Sequence, residues 1–537
     1  MAAPVSDAAF SQLLAQAHVA GGAGLAAWLP VLPVALGLGG GAVLMMQRRR
    51  PAHHPAIALP LLALMAFLHL ALLVHVHAGG PITVMMGSWK PPFGIAFTAD
   101  LTGASFALAA SLVGLACGIY GLDDINTSGR RYGFYPFLLV MMGAASGAFL
   151  TGDVFNLYVW FEVLLISSFG MLILGSEREQ IDGALKYAVL NLIATTLFLI
   201  TVGFLYGVFG TLNMADLAIK LNGAAETAPV LTLATLFTLA FCMKAAAFPV
   251  NFWLPASYHT PRIVVSALFA ALLTKVGAYS LIRVVVMLMP LEREELSLLL
   301  AAMAAATMVL GALGALAQTD LRRLLGFIVI SGIGSVLAGI AIGAEQGLGA
   351  ALFYALHSIL LMAALYLVIG QAGRLGGSFQ LTSLAGLYKK APAFALVSLI
   401  LFLAASGLPP FSGFWPKVML LKAALDIGAW WLAAAILASG FVTTIALARV
   451  FLLAYWRGEG EISSADAGAD ADAGHGPQGE RIFRPSRGAM VPVLMLTLPV
   501  VWFGLFPESL IGLTQTAAAG LIDPAAYIGS VFPQGER

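Results

Sequence analysis

Residues 243–279 read MKAAAFPVNFWLPASYHTPRIVVSALFAALLTKVGAY. Two lysines, Lys244 and Lys275, stand in runs that are otherwise almost wholly apolar, and Pro249 and Pro255 interrupt the first run just after its lysine. The apolar stretches continue outward over 230–254 and 263–289. Runs of about 17–25 apolar residues match the hydrocarbon thickness of a bilayer. Lipid offers no partner to a free backbone group, so such runs form helices; these are too long and too uniformly apolar to be barrel strands.

Further runs lie near 25–46, 57–77, 104–121, 133–150, 154–175, 186–209, 297–317, 324–343, 349–370, 394–424, 429–456 and 490–509. The sequence therefore predicts an all-α integral membrane protein with about 14 transmembrane helices. Composition agrees: 60% of the 537 residues are hydrophobic and 10% are charged, against about 25% charged in a soluble domain. A net charge of +1 gives no reason to expect a nucleic-acid partner. Cys117 and Cys242 lie inside apolar runs and read as small apolar filler, with no disulfide framework or metal spacing. Residues 1–20 hold no Lys or Arg and lack the order of a cleaved signal peptide.

Loop charge sets the orientation. With the N-terminus outside, one set of loops carries seventeen cations, among them Arg48, Arg130, Arg178, Arg322 and Arg374, and the other set carries four. That asymmetry predicts an inner-membrane protein with its cation-rich face in the cytoplasm and both termini periplasmic. Residues 457–488 are rich in Gly, Ala and Asp and cannot bury a core, so they predict a disordered cytoplasmic loop, with His475 in it.

Four ionisable residues fall deep in apolar runs: Glu162, Lys244, Lys275 and Lys417. Centring such a charge costs about 2.5–3.5 kcal/mol on insertion scales. They must pair or line water, and a proton relay is the functional reading. Lysine suits it because burial disfavours its charged form while a nearby carboxylate favours it. Glu162 is the only acid at the centre of a run; which lysine it serves is left open. The rival reading, purely structural ion pairs, predicts assembly defects instead of transport defects on mutation.

Helix breakers accompany two of these lysines. Pro249 follows Lys244, and Gly407, Pro409, Pro410, Gly413 and Pro416 precede Lys417. Proline removes a donor and kinks a helix, and interrupted runs in corresponding positions of two halves mark the ion path of an inverted-repeat transporter. The interrupted runs are the seventh and twelfth, which fits two inverted five-helix repeats with broken helices 7 and 12. The expected organisation is 1–122 (helices 1–3), 133–289 (first repeat), 297–456 (second repeat), 457–488 (loop) and 489–537 (helix 14 and a C-terminal tail). His357, within the eleventh run, and His259, in the SYHTPR turn, are of a type that can pass protons near neutrality. Arg283 and Arg449 stand nearer run ends, where snorkelling explains them. Asp153 reads as a helix cap, and His75 and His77 as interfacial residues. No nucleophile elbow, P-loop or redox cysteine set appears, so the expectation is an ion transporter subunit with no catalytic residue, cofactor or metal.

These residues resemble a known family. FEVLLISSFGMLILG, then MKAAAFPVNFWLPASYHTPRIVVSALFAALLTKVGAY, then GLPPFSGFWPK, look like the proton-conducting membrane subunits shared by respiratory complex I and the multisubunit Mrp (Pha, Mnh) antiporters. The resemblance covers roughly residues 90–455 and is nearest to the D-type component of Mrp; the long C-terminal extension of the A-type component and the lateral helix of the largest complex I homologue are lacking. It implies that Glu162 modulates Lys244, that Lys275 bridges, that Lys417 exchanges with the far side, and that His357 lies on the connecting axis with His259 beside it. Lys186 matches a recurrent position at the start of the sixth helix. Many relatives carry a lysine shortly after the histidine of the eleventh helix; here Leu361 and Met362 stand there, which leaves His357 and water to span the middle. The implied function is the proton limb of a Na⁺(K⁺)/H⁺ antiporter complex, with other antiporter subunits, the lipid bilayer, protons and monovalent cations as partners. The alternative is a proton-pumping subunit of complex I or a related hydrogenase.

Overall fold

The structure, a computed structural model, describes residues 18, 24–224, 229–458 and 487–532. Nearly all of the expected loop 457–488, His475 included, lies outside the described residues. The chain opens with α1 (Leu32–Met46) and α2 (His54–Gly79), followed by a hairpin of β1 (Ile82–Met85) and β2 (Ala96–Ala99) paired antiparallel with Ile82 opposite Ala99. Then come α3 (Leu101–Asp124), α4 (Phe134–Leu150), α5 (Val154–Leu172), α6 (Arg178–Phe209), α7 (Val230–Ala245) and α8 (Ile263–Leu281), which continues as a wider π-turn segment over Ile282–Leu288. The second half has α9 (Ser297–Ala317), α10 (Leu321–Ile342), α11 (Glu345–Gly376), α12 (Pro392–Ser406), α13 (Phe414–Asp426) and α14 (Trp430–Val450). It ends in α15 (Arg487–Leu505), α16 (Glu508–Ile522) and α17 (Ala525–Val531).

Among the described residues ten helices are long and apolar enough to cross a membrane, and α1, α4, α7 and α12 are shorter apolar helices. The membrane-protein reading holds. The shortness of α7 and α12 has a local cause. α7 stops at Ala246, which takes the left-handed conformation (φ 58°), and the chain then passes Pro249 before a single helical turn over Trp253–Ser257. α12 stops at Gly407 (φ 79°) and α13 begins beyond Pro409, Pro410 and Gly413. In both cases left-handed backbone and missing proline donors end the hydrogen-bond ladder.

Polar caps set other helix starts. The carboxylate of Asp100 accepts from Gly103 N at the start of α3, Asp153 from Asn156 N at α5, and Asp320 from Arg322 N and Arg323 N at α10. Small residues let helices approach: a Cβ on Gly37 of α1 would lie 2.6 Å from the Cα of Gly143 in α4. Such contacts replace the hydrophobic driving force that lipid removes.

The core is a trio. Every position in the most apolar window of α8 and of α11 is buried, and nearly every one in α10. α11 packs on α3, α8, α10, α13, α15 and α16. By contrast α2, α6, α14 and α15 bury a third or so of their apolar windows and form the rim. A helix apolar all round belongs inside a bundle, so Lys275, Arg283 and His357, buried within α8, its continuation and α11, cannot reach lipid headgroups.

Two features depart from the sequence reading. The tail beyond the last run contains α16 and α17, and α16 packs on α11; its Leu510, Thr514, Ala517, Ala518 and Leu521 form a buried stripe on an otherwise exposed helix. Arg283 does not snorkel. Its side chain is 1% exposed and forks onto Asp100, with both nitrogen–oxygen distances 2.7 Å. Tyr279 Oη accepts from it at 2.8 Å, and the Tyr279 and Tyr527 rings lie 5.3 Å from the guanidinium. The carboxylate that makes burial tolerable is 183 residues away in sequence.

Candidate functional site

The breaks place two lysines at helix ends. Lys244 occupies the last turn of α7, where carbonyls lose their helical partners and the helix dipole is negative. It is 6% exposed, so it lies inside the protein yet at a helix terminus, not in mid-helix as the apolar run suggests. Trp253, from the turn beyond the break, donates its indole N–H to Met243 O at 3.1 Å and seals this end. The Lys244 ammonium sits over the Phe161 ring, 5.4 Å from its centroid.

Phe161 precedes Glu162 on α5. Glu162 is half-buried and, among the described residues, makes no ion pair within 4 Å. Its charge acts through space on Lys244. Tyr158, one turn earlier, neighbours Glu162. The small gap beside Lys244 is lined by Phe161, Leu164, Tyr187, Asn191 and Leu273.

α8 crosses directly over this end of α7. A Cβ on Gly277 would stand 2.8 Å from Ala245 N and 3.1 Å from Lys244 Cβ, so only glycine permits the approach. Two residues before it, Lys275 is 1% exposed and donates to Ala270 O at 2.7 Å. Its charge reaches His357 on α11, as does that of Lys417. His357 Nδ1 is 2.8 Å from Ser412 Oγ, in the α12–α13 break, and a Cβ on Gly413 would lie 3.2 Å from Nε2. Lys417, in the first turn of α13, runs back across the break and donates to Ser406 O at 2.7 Å. Glycine makes room again: a Cβ on Gly407 would meet Lys417 Cδ at 2.6 Å. Glu162, Lys244, Lys275, His357 and Lys417 thus follow one another from α5 to α13.

His259 and Lys186 belong elsewhere, to a cavity of about 740 Å³ on the cation-rich face. It lies against the α7 break, lined among others by Asn251, Pro255, Asp320, Arg322 and Arg323. His259 is therefore not beside His357. Arg323 can only donate, so His259 Nε2, 3.1 Å away, accepts, and Nδ1–H donates to Pro255 O at 2.9 Å. Burial, then the neighbouring Arg323 charge, hold His259 below the usual histidine range. Lys186 stands two turns into α6 and pairs with Asp182 at the cavity mouth. Pro249 and Pro409 lie in the two breaks.

Sequence reasoning missed His69, wholly buried on α2 with Nδ1 3.2 Å from Ser111 Oγ, and the Asp100–Arg283 pair. A signal for the latter was present: Lys275, Tyr279 and Arg283 recur every four residues and share one helix face. No group of three or more His, Cys, Asp or Glu among the described residues is placed to hold a metal.

Residues 151–443 match the family model described as NADH:quinone oxidoreductase/Mrp antiporter, TM. The D-type Na(+)/H(+) antiporter subunit of Alkalihalophilus pseudofirmus is 34% identical over 470 residues, covering 88% of this chain and 92% of that one. A chain of the Mrp complex from Dietzia sp. DQ12-45-1b superposes with a TM-score of 0.85 at 29% identity, over 94% of this chain and 99% of that one. A chain of the membrane-bound sulfane sulfur reductase, an archaeal respiratory membrane complex, gives the same TM-score at 26% identity and the same coverage. The breaks, the buried lysines and these likenesses coincide over one stretch of chain, which belongs to the NADH:quinone oxidoreductase/Mrp antiporter family of membrane subunits.

Proposed function

We propose that this chain is the D-type component of a multisubunit monovalent cation (Na⁺/K⁺)/proton antiporter, and that it carries protons along Glu162, Lys244, Lys275, His357 and Lys417. The observation that supports this most is the placement of Lys244 and Lys417 at the carbonyl ends of two half-helices, on either side of the buried α8 and α11. Each ammonium gains from the carbonyl-end dipole and loses water, so its proton is held by terms of opposite sign that a moving neighbour can tip. Glu162 supplies one such neighbour. Lys275 and His357 span the distance between the ends.

The cavity beside His259 and Lys186 offers the relay water from the cation-rich face. By the loop-charge asymmetry that face is cytoplasmic, with both termini periplasmic, in a bacterial inner membrane. The two breaks are read as equivalent points of two five-helix repeats, 133–289 and 297–456. The chain acts without catalysis of its own, beside the other antiporter subunits.

Everted vesicles from a host lacking its own antiporters, expressing the full operon, test this. Cation addition should dissipate an imposed proton gradient with wild-type protein, and Lys244→Ala at matched assembly should remove that response. A redox-driven pump is the second reading, favoured by the equal fit to the sulfane sulfur reductase chain. Co-purified iron–sulfur subunits and no cation response from wild-type vesicles would establish it instead.

A further inference from the structure

Serine and threonine inside a helix ordinarily bond back to the carbonyl four residues earlier. Here Thr201, Ser280, Thr307, Ser398 and Thr497 all do so, at 2.6–2.9 Å. Ser280 does it on α8 itself. Thr274, also on α8 and wholly buried, does not: its hydroxyl has no partner among the described residues. The carbonyl that it would take is Ala270 O, and that carbonyl holds Lys275 Nζ at 2.7 Å. Thr238 on α7 and Ser266 in the first turn of α8 are also unpartnered, but among the described residues no side chain bonds the carbonyl four residues before either of them. At 3.6 residues per turn, Thr274 stands about 60° round α8 from Gly277, which touches Lys244, and about 100° from Lys275. Thr274 therefore stands on the side of α8 between Gly277 and Lys275.

We infer that Thr274 is a positioning residue for Lys275, and that Ala270 O is a two-position acceptor shared between them. This rests on the relay proposed above. With Lys275 charged, its ammonium takes the carbonyl, because a charge-assisted bond is about twice as strong as a neutral one, and the threonine hydroxyl is left free. When Lys275 passes its proton along the relay it becomes a neutral amine and a weaker donor. Thr274 then donates to Ala270 O, and the amine is released to turn toward its next partner. The threonine keeps its own proton throughout; only the acceptor of its O–H changes.

The test uses the full complex in everted vesicles with Thr274→Val, Thr274→Ser and Lys244→Ala. Valine has the shape of threonine without the hydroxyl, and since that hydroxyl is unpaired here its loss should leave assembly and thermal stability unchanged or raised. Exchange with Thr274→Val should fall about tenfold, the weight of one hydrogen bond, and Thr274→Ser should restore it. If Thr274→Val exchanges at the wild-type rate while Lys244→Ala is inactive, the switch is wrong and the relay stands. If Lys244→Ala is also fully active, the relay itself is wrong. Should valine prevent assembly, the serine variant decides: a switch requires near-normal exchange, and a tenfold loss with serine would overturn it.

Discussion

The two broken helices carry the same charge at the same kind of helix end and hold it differently. At the first break Lys244 belongs to the helix that stops, and its ammonium faces the Phe161 ring with no hydrogen-bond partner among the described residues. At the second, Lys417 belongs to the helix that starts, and it reaches back to bond Ser406 O. A π face and a carboxylate acting through space are soft restraints that a small movement of α5 alters. A direct bond to backbone is stiff. On the relay proposed above, the first break is then the adjustable end and the second the anchored one, with His357 bonded to the second through Ser412.

Three variants press on this difference, from the largest effect down, with Asp182 as a control among them. Lys244→Ala should lower cation-driven proton exchange by at least about 100-fold, the scale of a lost proton-transfer group; vesicle assays at matched assembly read it. Glu162→Gln should lower exchange about tenfold, the scale of a single charge acting through a partly solvated protein, and leave the complex assembled. Acid-to-amide changes elsewhere, such as Asp182→Gln or Asp182→Asn at the cavity mouth, should leave exchange within twofold or so, since an exposed pair contributes about 0–1 kcal/mol. Phe161→Leu removes the ring while keeping the volume apolar, and a threefold or so loss should follow from a cation–π contact of about 0.5–1 kcal/mol. A loss as large as that of Glu162→Gln would mean that the ring, not the carboxylate, restrains Lys244.

The smallest effect concerns the cavity. His259 is held below its usual range and accepts from Arg323 when neutral. The contact is therefore complete at neutral pH, above the ordinary histidine value of about 6.5, and is lost as pH falls through the lowered value in the folded protein. Thermal stability of the complex should decline modestly as pH falls below that ordinary value, and His259→Gln, which keeps an acceptor but cannot protonate, should flatten that decline. An unchanged slope would show that Arg323 is held by other groups.

Much of this was legible in the sequence because its physics is local. A run of apolar residues long enough to cross lipid states its own structure, and a lysine within it declares itself by its cost. Proline and glycine beside Lys244 and Lys417 announced the breaks. What was hidden depends on neighbours far along the chain. Pro249 announces a break, but it stands five residues past Lys244; that the helix already ends at Ala246, one turn earlier, appeared only with the left-handed backbone there. Arg283 reads as a snorkelling residue until Asp100 is brought to it. α16 is a half-buried helix whose apolar stripe is diluted by Thr514, Gln515 and Thr516, so a search for uniform runs passes over it. The four-residue strands of the hairpin are too short to register, and the freed hydroxyl of Thr274 follows from one hydrogen bond that no spacing encodes.

The central claim is that protons cross through Lys244. The most direct measurement is the cation-induced collapse of an imposed proton gradient in everted vesicles that carry the complete complex, wild type against Lys244→Ala, with assembly verified in both. Proton passage through Lys244 predicts a full response from wild type and at least about a 100-fold slower one from the variant. A variant complex that assembles normally and exchanges at the wild-type rate would contradict it.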